Sequence, residues 1–341
     1  MNTDVLSDVL AAVRLTGAVY FDWEVSAPWV AEAPPSREIA HLVLPGAKHV
    51  IEAHLIARGS CWGALPGGEP MLLREGDVLA FPQGHAHALS SAPGLRAQPE
   101  LAFYVRGTQS LPICYEIGGG GPERARIVCS FLGCDDRPFN PLLAALPPVL
   151  HLPASERGES AAWLGTLLDL ASREGRSGRP GSENILSRLS ELMFVETIRC
   201  YLETMPAAHS GWLAGLRDPL VGQALAALHA EPSASWTVER LAHNVGASRS
   251  VLAERFAELV GQPPMQYLAL WRMQLASRQL AEGRTVAEVG SEVGYESEAA
   301  FSRAFKKLVG VTPGRWRRAE APARPAAHDG PAPSRPRPAR R

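Results

Sequence analysis

Two stretches decide the fold of this 341-residue chain: VGASRSVLAERFAELVG at residues 245–261 and VGYESEAAFSRAFKKLVG at residues 293–310. They are two versions of one pattern, with closing glycines 49 positions apart. Around the first, Val238, Leu241, Ala242 and Val245 fall at i, i+3, i+4 and i+7, one face of a short helix. Gly246 breaks that helix, and Ser248 suits the N-cap of a second one, whose apolar stripe is Leu252, Phe256, Leu259 and Val260. Gly261 ends it, with Pro263 and Pro264 beyond. In the other version Val286, Val289, Gly290 and Val293 take the first role, with Thr285 and Glu288 as a capping box. Phe301, Phe305, Leu308 and Val309 take the second, Gly310 closes it, and the turn is one residue longer.

Each version is therefore helix, glycine turn, helix, with a small residue (Ala242, Gly290) where the two helices must approach. This is the helix-turn-helix pattern, whose second helix can enter the major groove of DNA. Between the copies, MQYLALWRMQLASRQLAEG carries Leu268, Trp271 and Leu275 on a predicted helix of about 18 residues, about 27 Å long at 1.5 Å per residue. Successive major-groove faces are about 34 Å apart, so such a helix can set two reading heads on adjacent turns. A bundle repeated for packing alone is the competing reading. Charge argues against it: residues 1–235 carry net −8, residues 236–318 net +4 and residues 319–341 net +3. A basic end on an acidic body points to a polyanionic partner at that end.

At this point residues 218–318 resemble the DNA-binding domain of AraC/XylS-type transcriptional regulators. The resemblance implies that exposed positions of each second helix meet bases. Carried over residue by residue, these are Arg249, Ser250, Ala253, Glu254 and the adjoining Arg255 in the first copy. In the second they are Glu298, Ala299, Ser302 and Arg303. Glu254 departs from the basic residue often found there; a carboxylate accepts from cytosine N4 but repels phosphate. Lys306, Lys307 and Arg315 read as phosphate contacts. The implied partners are promoter double-stranded DNA, RNA polymerase, a small-molecule effector and a second copy of the chain. Activation is the commoner mode in the family.

The N-terminal half has a different texture. Short apolar runs such as HVIEAHLIARGSCW, MLLREGDVLAFPQG and LAFYVRGTQSLPICYEI, broken by Gly and Pro, predict strands of a sandwich or barrel over residues 19–150. In GDVLAFPQGHAHALS, Gly76, Pro82, Gly84 and His87 are spaced as in the second cupin motif, and Glu52 stands before Gly59 as at the end of the first. The His-x-His of that first motif is absent; Lys48 and His49 are near its place. The region resembles the cupin-type sensor domains fused to AraC-type regulators. That implies an effector pocket, for which Glu52, His54, Trp62, His85 and His87 are the candidates. No cofactor is certain. A metal ion held by these histidines with Glu52 or His49 is one reading, with His87 alone at a matching ligand position; histidines that line or hydrogen-bond a pocket are the other.

The rest fills in the plan. Leu6, Val9, Leu10 and Val13 predict an amphipathic N-terminal helix and not a signal peptide, and no apolar run reaches the roughly 18–20 residues of a membrane span. The expected compartment is the cytoplasm, at the nucleoid. Residues 155–205 predict two helices, the second capped by Asn184 and striped by Leu186, Leu189, Met193 and Cys200, buried either in a dimer interface or within the chain. Five cysteines (Cys61, Cys114, Cys129, Cys134, Cys200) lack paired spacing and read as small buried hydrophobes or as a redox-sensing thiol. The expected fold class is a multidomain α and β chain: a cupin-like β-barrel (1–153), a helical linker or dimerisation segment (154–210), an all-α double helix-turn-helix (211–318) and a disordered Pro/Ala/Arg tail (319–341). The expected function is sequence-specific transcriptional regulation, not enzymatic, controlled by a small molecule or a redox signal.

Overall fold

The structure, a computed structural model, describes residues 4–106, 109–156, 160–206 and 211–320. The reading of the tail as disordered falls almost wholly on residues 321–341, outside the described residues. The N-terminal helix forms as α1 (Val5–Ala12), with the Asp4 side chain accepting from the Ser7 amide and Val5, Val9 and Ala12 buried. Ten strands follow: β1 (Thr16–Ser26), β2 (Val30–Ala33), β3 (His49–Arg58), β4 (Ser60–Ala64), β5 (Met71–Arg74), β6 (Val78–Phe81), β7 (His87–Ser90), β8 (Ile113–Gly118), β9 (Arg124–Cys134) and β10 (Leu150–Leu152). They are interrupted by α2 (Ser36–Val43) and α3 (Pro141–Ala145).

The strands make two sheets, in the orders β10-β6-β3-β9-β1-β8 and β2-β7-β4-β5. One core joins them, with Phe21, Trp23 and Phe131 from the larger sheet against Trp29, Cys61, Leu73 and Leu89. The expected cupin-like β-domain is present, but as a two-sheet sandwich: among the described residues no ladder joins the sheets into a closed barrel. The reason lies in residues 82–86, where the chain crosses from β6 in one sheet to β7 in the other. Pro82 has no N–H to donate, and Gly84 takes φ +65°, a left-handed conformation that ends the strand. Gly84 then accepts a hydrogen bond from the Ser36 amide (2.9 Å), which ties α2 to this corner.

The outer face of the larger sheet is covered by α4 (Ser160–Gly175) and α5 (Ser182–Thr204). The α5 stripe is buried as the period predicted: Leu186, Leu189, Met193 and Cys200 all sit in the core. They are spent within the chain, which decides for the intrachain alternative at these positions. The cap was misassigned. Helix α5 begins at Ser182 after Gly181, and Asn184 lies inside its first turn. Ser182 is drawn to the helix start because its hydroxyl donates to Glu174 (2.7 Å).

The C-terminal part is helical throughout: α6 (Trp212–Arg217), α7 (Pro219–Ala230), α8 (Val238–Asn244), α9 (Arg249–Val260), α10 (Pro264–Ala281), α11 (Val286–Glu292), α12 (Glu298–Val309) and α13 (Pro313–Glu320). The Ser248 cap, the Thr285–Glu288 capping box and the left-handed closing glycines Gly261 and Gly310 are all present. Helix α10 has the expected 18 residues.

Two cores flank α10. Leu241, Leu252, Phe256, Leu268 and Trp271 belong to a core that continues through α7 and α1 to the outer face of the large sheet. Phe301, Phe305, Val289 and Met273 form a separate small core under the second helix pair. The first reader is thus packed into the body of the protein, and the second hangs from α10.

Candidate functional site

The two helix pairs present different surfaces. On α9, Arg249, Ser250 and Glu254 are exposed and Ala253 is half-buried. Arg249 pairs with Glu239 of α8 (2.9 Å), an exposed contact that DNA phosphate could replace at small cost. Arg255 is exposed as well, with two acidic partners. Its guanidinium is held by Asp218 (3.1 Å) and Glu258 (2.8 Å), and Asp218 in turn caps α7 through the Leu220 and Val221 amides. Arg255 is therefore a brace between α9 and the start of α7. Basic and acidic side chains balance on α9, two of each.

On α12, Glu298, Ala299 and Arg303 are exposed and Ser302 is half-buried. Lys306 and Lys307 are exposed in its last turn, and Arg315 is exposed on α13. No ion pair engages Arg303, Lys306, Lys307 or Arg315 among the described residues. The positive charge available to a polyanion is concentrated on the second reader.

Inside the β sandwich the sequence candidates separate. Glu52 and His54 lie two apart on β3, so both side chains leave the same face of the strand. His87 opens β7 on the facing sheet. These three meet: His54 Nε2 and His87 Nε2 are 2.6 Å apart, and Glu52 Oε2 lies 3.8 Å from His87 Nε2. All three are at most 5% exposed. His85 points out of the sandwich and lines an external cleft of about 540 Å³ with Arg37, Lys48, His49 and Gln83. Trp62 is half-buried between Cys61 and Gly63, which face the core, and is absent from both.

Sequence reasoning missed three partners of the cluster. The Ser36 hydroxyl donates to Glu52 Oε1 (2.7 Å). Cys129 on β9 lies with Sγ 3.1 Å from His54 Nδ1. Tyr104, from a 3₁₀ turn at Leu101–Tyr104, lines the same cavity. Period-two alternation around Cys129 was the signal for an inward side chain; that it would face His54 depends on β3–β9 register, in which His54 pairs with Cys129. Burial drives each group toward its neutral form. The Glu52 carboxyl is pushed up to about 8, His87 is pushed down to about 4, and His54 is held well below the ordinary imidazole range by burial and then by His87.

Four of the five cysteines are held toward the thiol form. Burial raises the thiols of Cys61 and Cys134 to about 12 and that of Cys129 well above its ordinary value. Cys114, the exposed one, is also raised, by partial burial first and then by Asp22. Thiolate is the reactive form, so none of these four is activated.

The β and helical parts meet where α1 and α3 pack on α6, α7 and α10. Helix α1 ends at Ala12, leaving its last carbonyls without helical donors. Gln274 Nε2 donates to the Ala12 carbonyl (3.0 Å) and Arg278 donates to the Ala11 carbonyl (2.9 Å). Gln274 Oε1 also accepts from the Phe139 amide (3.1 Å), and Gln274 is 1% exposed. At the far end Glu320 of α13 meets Lys48 (3.2 Å).

Comparison with known proteins agrees with both halves. A cupin family model matches residues 4–203, and a helix-turn-helix domain model matches residues 241–319. A putative AraC-like transcription regulator of Streptomyces lividans is 36% identical over 276 residues, covering 80% of this chain and 88% of the relative. The HTH-type transcriptional regulator AlkR of Acinetobacter baylyi is 29% identical over 317 residues, covering 92% and 99%. Among solved structures, the DNA-binding domain of AdpA in complex with a target DNA is 32% identical, covering 30% of this chain and 92% of that one, with a TM-score of 0.28. A cupin-type β domain carrying paired helix-turn-helix readers defines a DNA-binding transcription regulator. This chain belongs to the AraC family of such regulators. No helix among the described residues is long and apolar enough to cross a membrane.

Proposed function

We propose that the chain is a promoter-binding regulator, without enzymatic activity, whose DNA affinity or geometry is set by a small molecule bound in the cupin domain. Residues 1–153 are the sensor, 154–210 a helical segment for dimerisation, and 211–318 the double reader. The observation that carries this reading is the seat of α10. The helix that spaces the two readers also caps the first helix of the sensor, through Gln274 and Arg278 one turn apart. A change in the sensor that moves α1 must move or release α10, and with it the spacing of α9 and α12.

A pocket ligand is favoured over thiol oxidation because burial raises the four thiols described above. The 540 Å³ cleft has the size of a small-molecule site, and Ser36 in its wall is hydrogen-bonded to buried Glu52, linking cleft to interior. The sequence positions taken for base contacts (Arg249, Ser250, Ala253, Glu254, Glu298, Ala299, Ser302, Arg303) and phosphate contacts (Lys306, Lys307, Arg315) remain the proposed DNA interface, without Arg255. Self-association is supported by exposed apolar side chains on the helices over the sandwich: Trp163 and Leu170 on α4, Ile185 and Leu192 on α5, each pair seven residues apart. We assign activation through contact with RNA polymerase as the output, and the cytoplasm as the site of action; a 28% identical relative from Escherichia coli is named a transcriptional activator.

The test is genomic-fragment binding with purified full-length protein, followed by footprinting of the best fragment and transcription from it with RNA polymerase. Protection of two adjacent major grooves per subunit, with transcription raised by a small molecule, is the expected result. Sequence-blind, salt-sensitive binding under every condition refutes the reading.

A further inference from the structure

We infer that Arg272 and Gly294 are positioning residues for DNA reading: they clamp the turn of the second reader onto the loop that leads into the first, and so set the rotation of α12 relative to α9. Helix α10 by itself fixes the distance between the readers better than their rotation. It contributes Leu268 and Trp271 to the core under one reader, and Met273 and Leu280 to the separate core under the other. A direct contact between the readers adds the missing constraint.

That contact has two parts. The first is Arg272, half-buried on α10. Its Nε donates to the Pro232 carbonyl (2.6 Å) and its Nη2 to the Ala234 carbonyl (2.8 Å), both in the loop between α7 and α8. Its Nη1 reaches the Gly294 carbonyl (3.5 Å) in the turn between α11 and α12. The guanidinium carbon lies 5.8 Å from the centre of the Tyr295 ring, within cation–π range. A planar fork suits carbonyls on two sides, whereas a lysine ammonium presents its donors at one point. Tyr295 in turn packs on Phe301 of α12, with 5.6 Å between ring centroids. The loop is a firm anchor, because Trp236 Nε1 (3.0 Å) and the Ala234 amide (3.1 Å) both donate to the Glu231 carbonyl.

The second part is steric, and the two copies of the pattern isolate it. Gly246 and Gly294 hold the same place in the repeat, and both are left-handed, at φ +68° and φ +85°. A Cβ at Gly246 would meet nothing within 4 Å, so that glycine answers to backbone conformation alone. A Cβ at Gly294 would lie 2.4 Å from the Ser233 carbonyl oxygen and 2.8 Å from Ser233 Cα. The turn of the second reader therefore lies directly on the backbone of the loop into the first.

This inference rests on the two-groove reading proposed above. Full-length protein is bound to its best footprinted operator and to versions with one base pair added or removed between the two protected grooves, which turns one site by about 35° against the other. Wild type should bind the altered versions roughly 100-fold more weakly, the lower end of what simultaneous engagement of two linked sites contributes. In Arg272→Met, which keeps the stem and drops the fork, affinity for the native spacing should fall roughly 10-fold and the spacing penalty should shrink to about threefold or less. Simple destabilisation lowers binding to every version alike and leaves the ratio at its wild-type value. Circular dichroism checks that each variant folds. If Arg272→Met does not fold, Gly294→Ala should show the same loss of spacing preference, while Gly246→Ala, left-handed but with open space around it, should keep it. A wild-type ratio in the folded clamp variants overturns the inference. A measurement without DNA separates its failure from that of the two-groove reading. Spin labels are placed at Ser250→Cys and Ala299→Cys, exposed on α9 and α12, in a Cys114→Ser background that removes the exposed native thiol. Their distance distribution should broaden in Arg272→Met. Equal widths overturn the clamp whatever the footprint; broadening together with protection of a single groove by wild type supports the clamp and refutes the two-groove reading.

Discussion

Replacing Gln274 by alanine should loosen the sensor from the readers without unfolding either. The side chain is 1% exposed and satisfies two backbone groups across the junction, the Phe139 N–H and the Ala12 carbonyl. Truncation leaves both unpaired. Each buried orphan costs about 1–3 kcal/mol, so the docked arrangement loses roughly 2–6 kcal/mol, the lower end applying if water enters the gap. Arg278 still caps Ala11, so α1 need not unravel. A loss of 2 kcal/mol multiplies the open population about 30-fold. The assay is amide hydrogen exchange of α1, where protection at Val9 to Val13 should fall by that factor while the protected amides of α12 stay as they were. Gln274→Glu refines the test. It keeps an acceptor for Phe139 but sets a carboxylate against the Ala12 carbonyl, so exchange should rise at least as much. Exchange of α1 within threefold of the wild type in both variants, in folded protein, would falsify the view that this side chain couples the domains.

Salt dependence should separate the two readers. Lys306→Ala and Lys307→Ala should each lower the slope of log affinity against log salt by about one, whereas Arg255→Ala should leave it unchanged and lower the melting temperature through loss of the Asp218 brace; a reduced slope for Arg255→Ala would return that residue to the DNA interface. Gly290→Val should selectively destabilise the second helix pair, because a Cβ at that position already meets Phe301 at 3.1 Å, and overpacking of this kind costs about 1–3 kcal/mol; thermal unfolding indistinguishable from the wild type would contradict the packing. Acid should weaken the junction through His229. Burial lowers its imidazole from 6.5 to about 3, and Asp8, 3.5 Å from Nδ1, is itself raised by burial and by Asp4, so the contact does not hold the ring charged. Its contribution is complete above pH 6.5 and is lost at about 1.4 kcal/mol per unit as pH falls from 6.5 towards 3. The melting temperature of wild type should therefore drop more between pH 7 and pH 5 than that of His229→Gln, and equal drops would remove His229 from the account.

The sequence by itself determined everything governed by neighbours within a few residues. Helix boundaries in the readers follow from caps and glycines that act locally: Ser248 on the Val251 amide, Thr285 and Glu288 on each other, Gly261 and Gly310 in left-handed turns. The apolar stripes of α5, α9 and α12 were legible because a 3.6-residue period needs only one chain segment to express it. The repeat, the charge division and the candidacy of Glu52, His54 and His87 were also legible in the sequence.

Tertiary structure alone decided the rest, because it depends on which segments meet. Asn184 looked like a cap until Glu174, from the other helix, drew Ser182 to the helix start. That Arg255 of α9 would reach Asp218, 37 residues away at the start of α7, could not be read locally. His54, His85 and His87 were all pocket candidates in the sequence, but pleat parity and the turn at Gly84 put two inside with Glu52 and one outside. Cys129 joined them only through the register of β9 on β3. Local signals choose the elements; the faces they bury against one another choose the site.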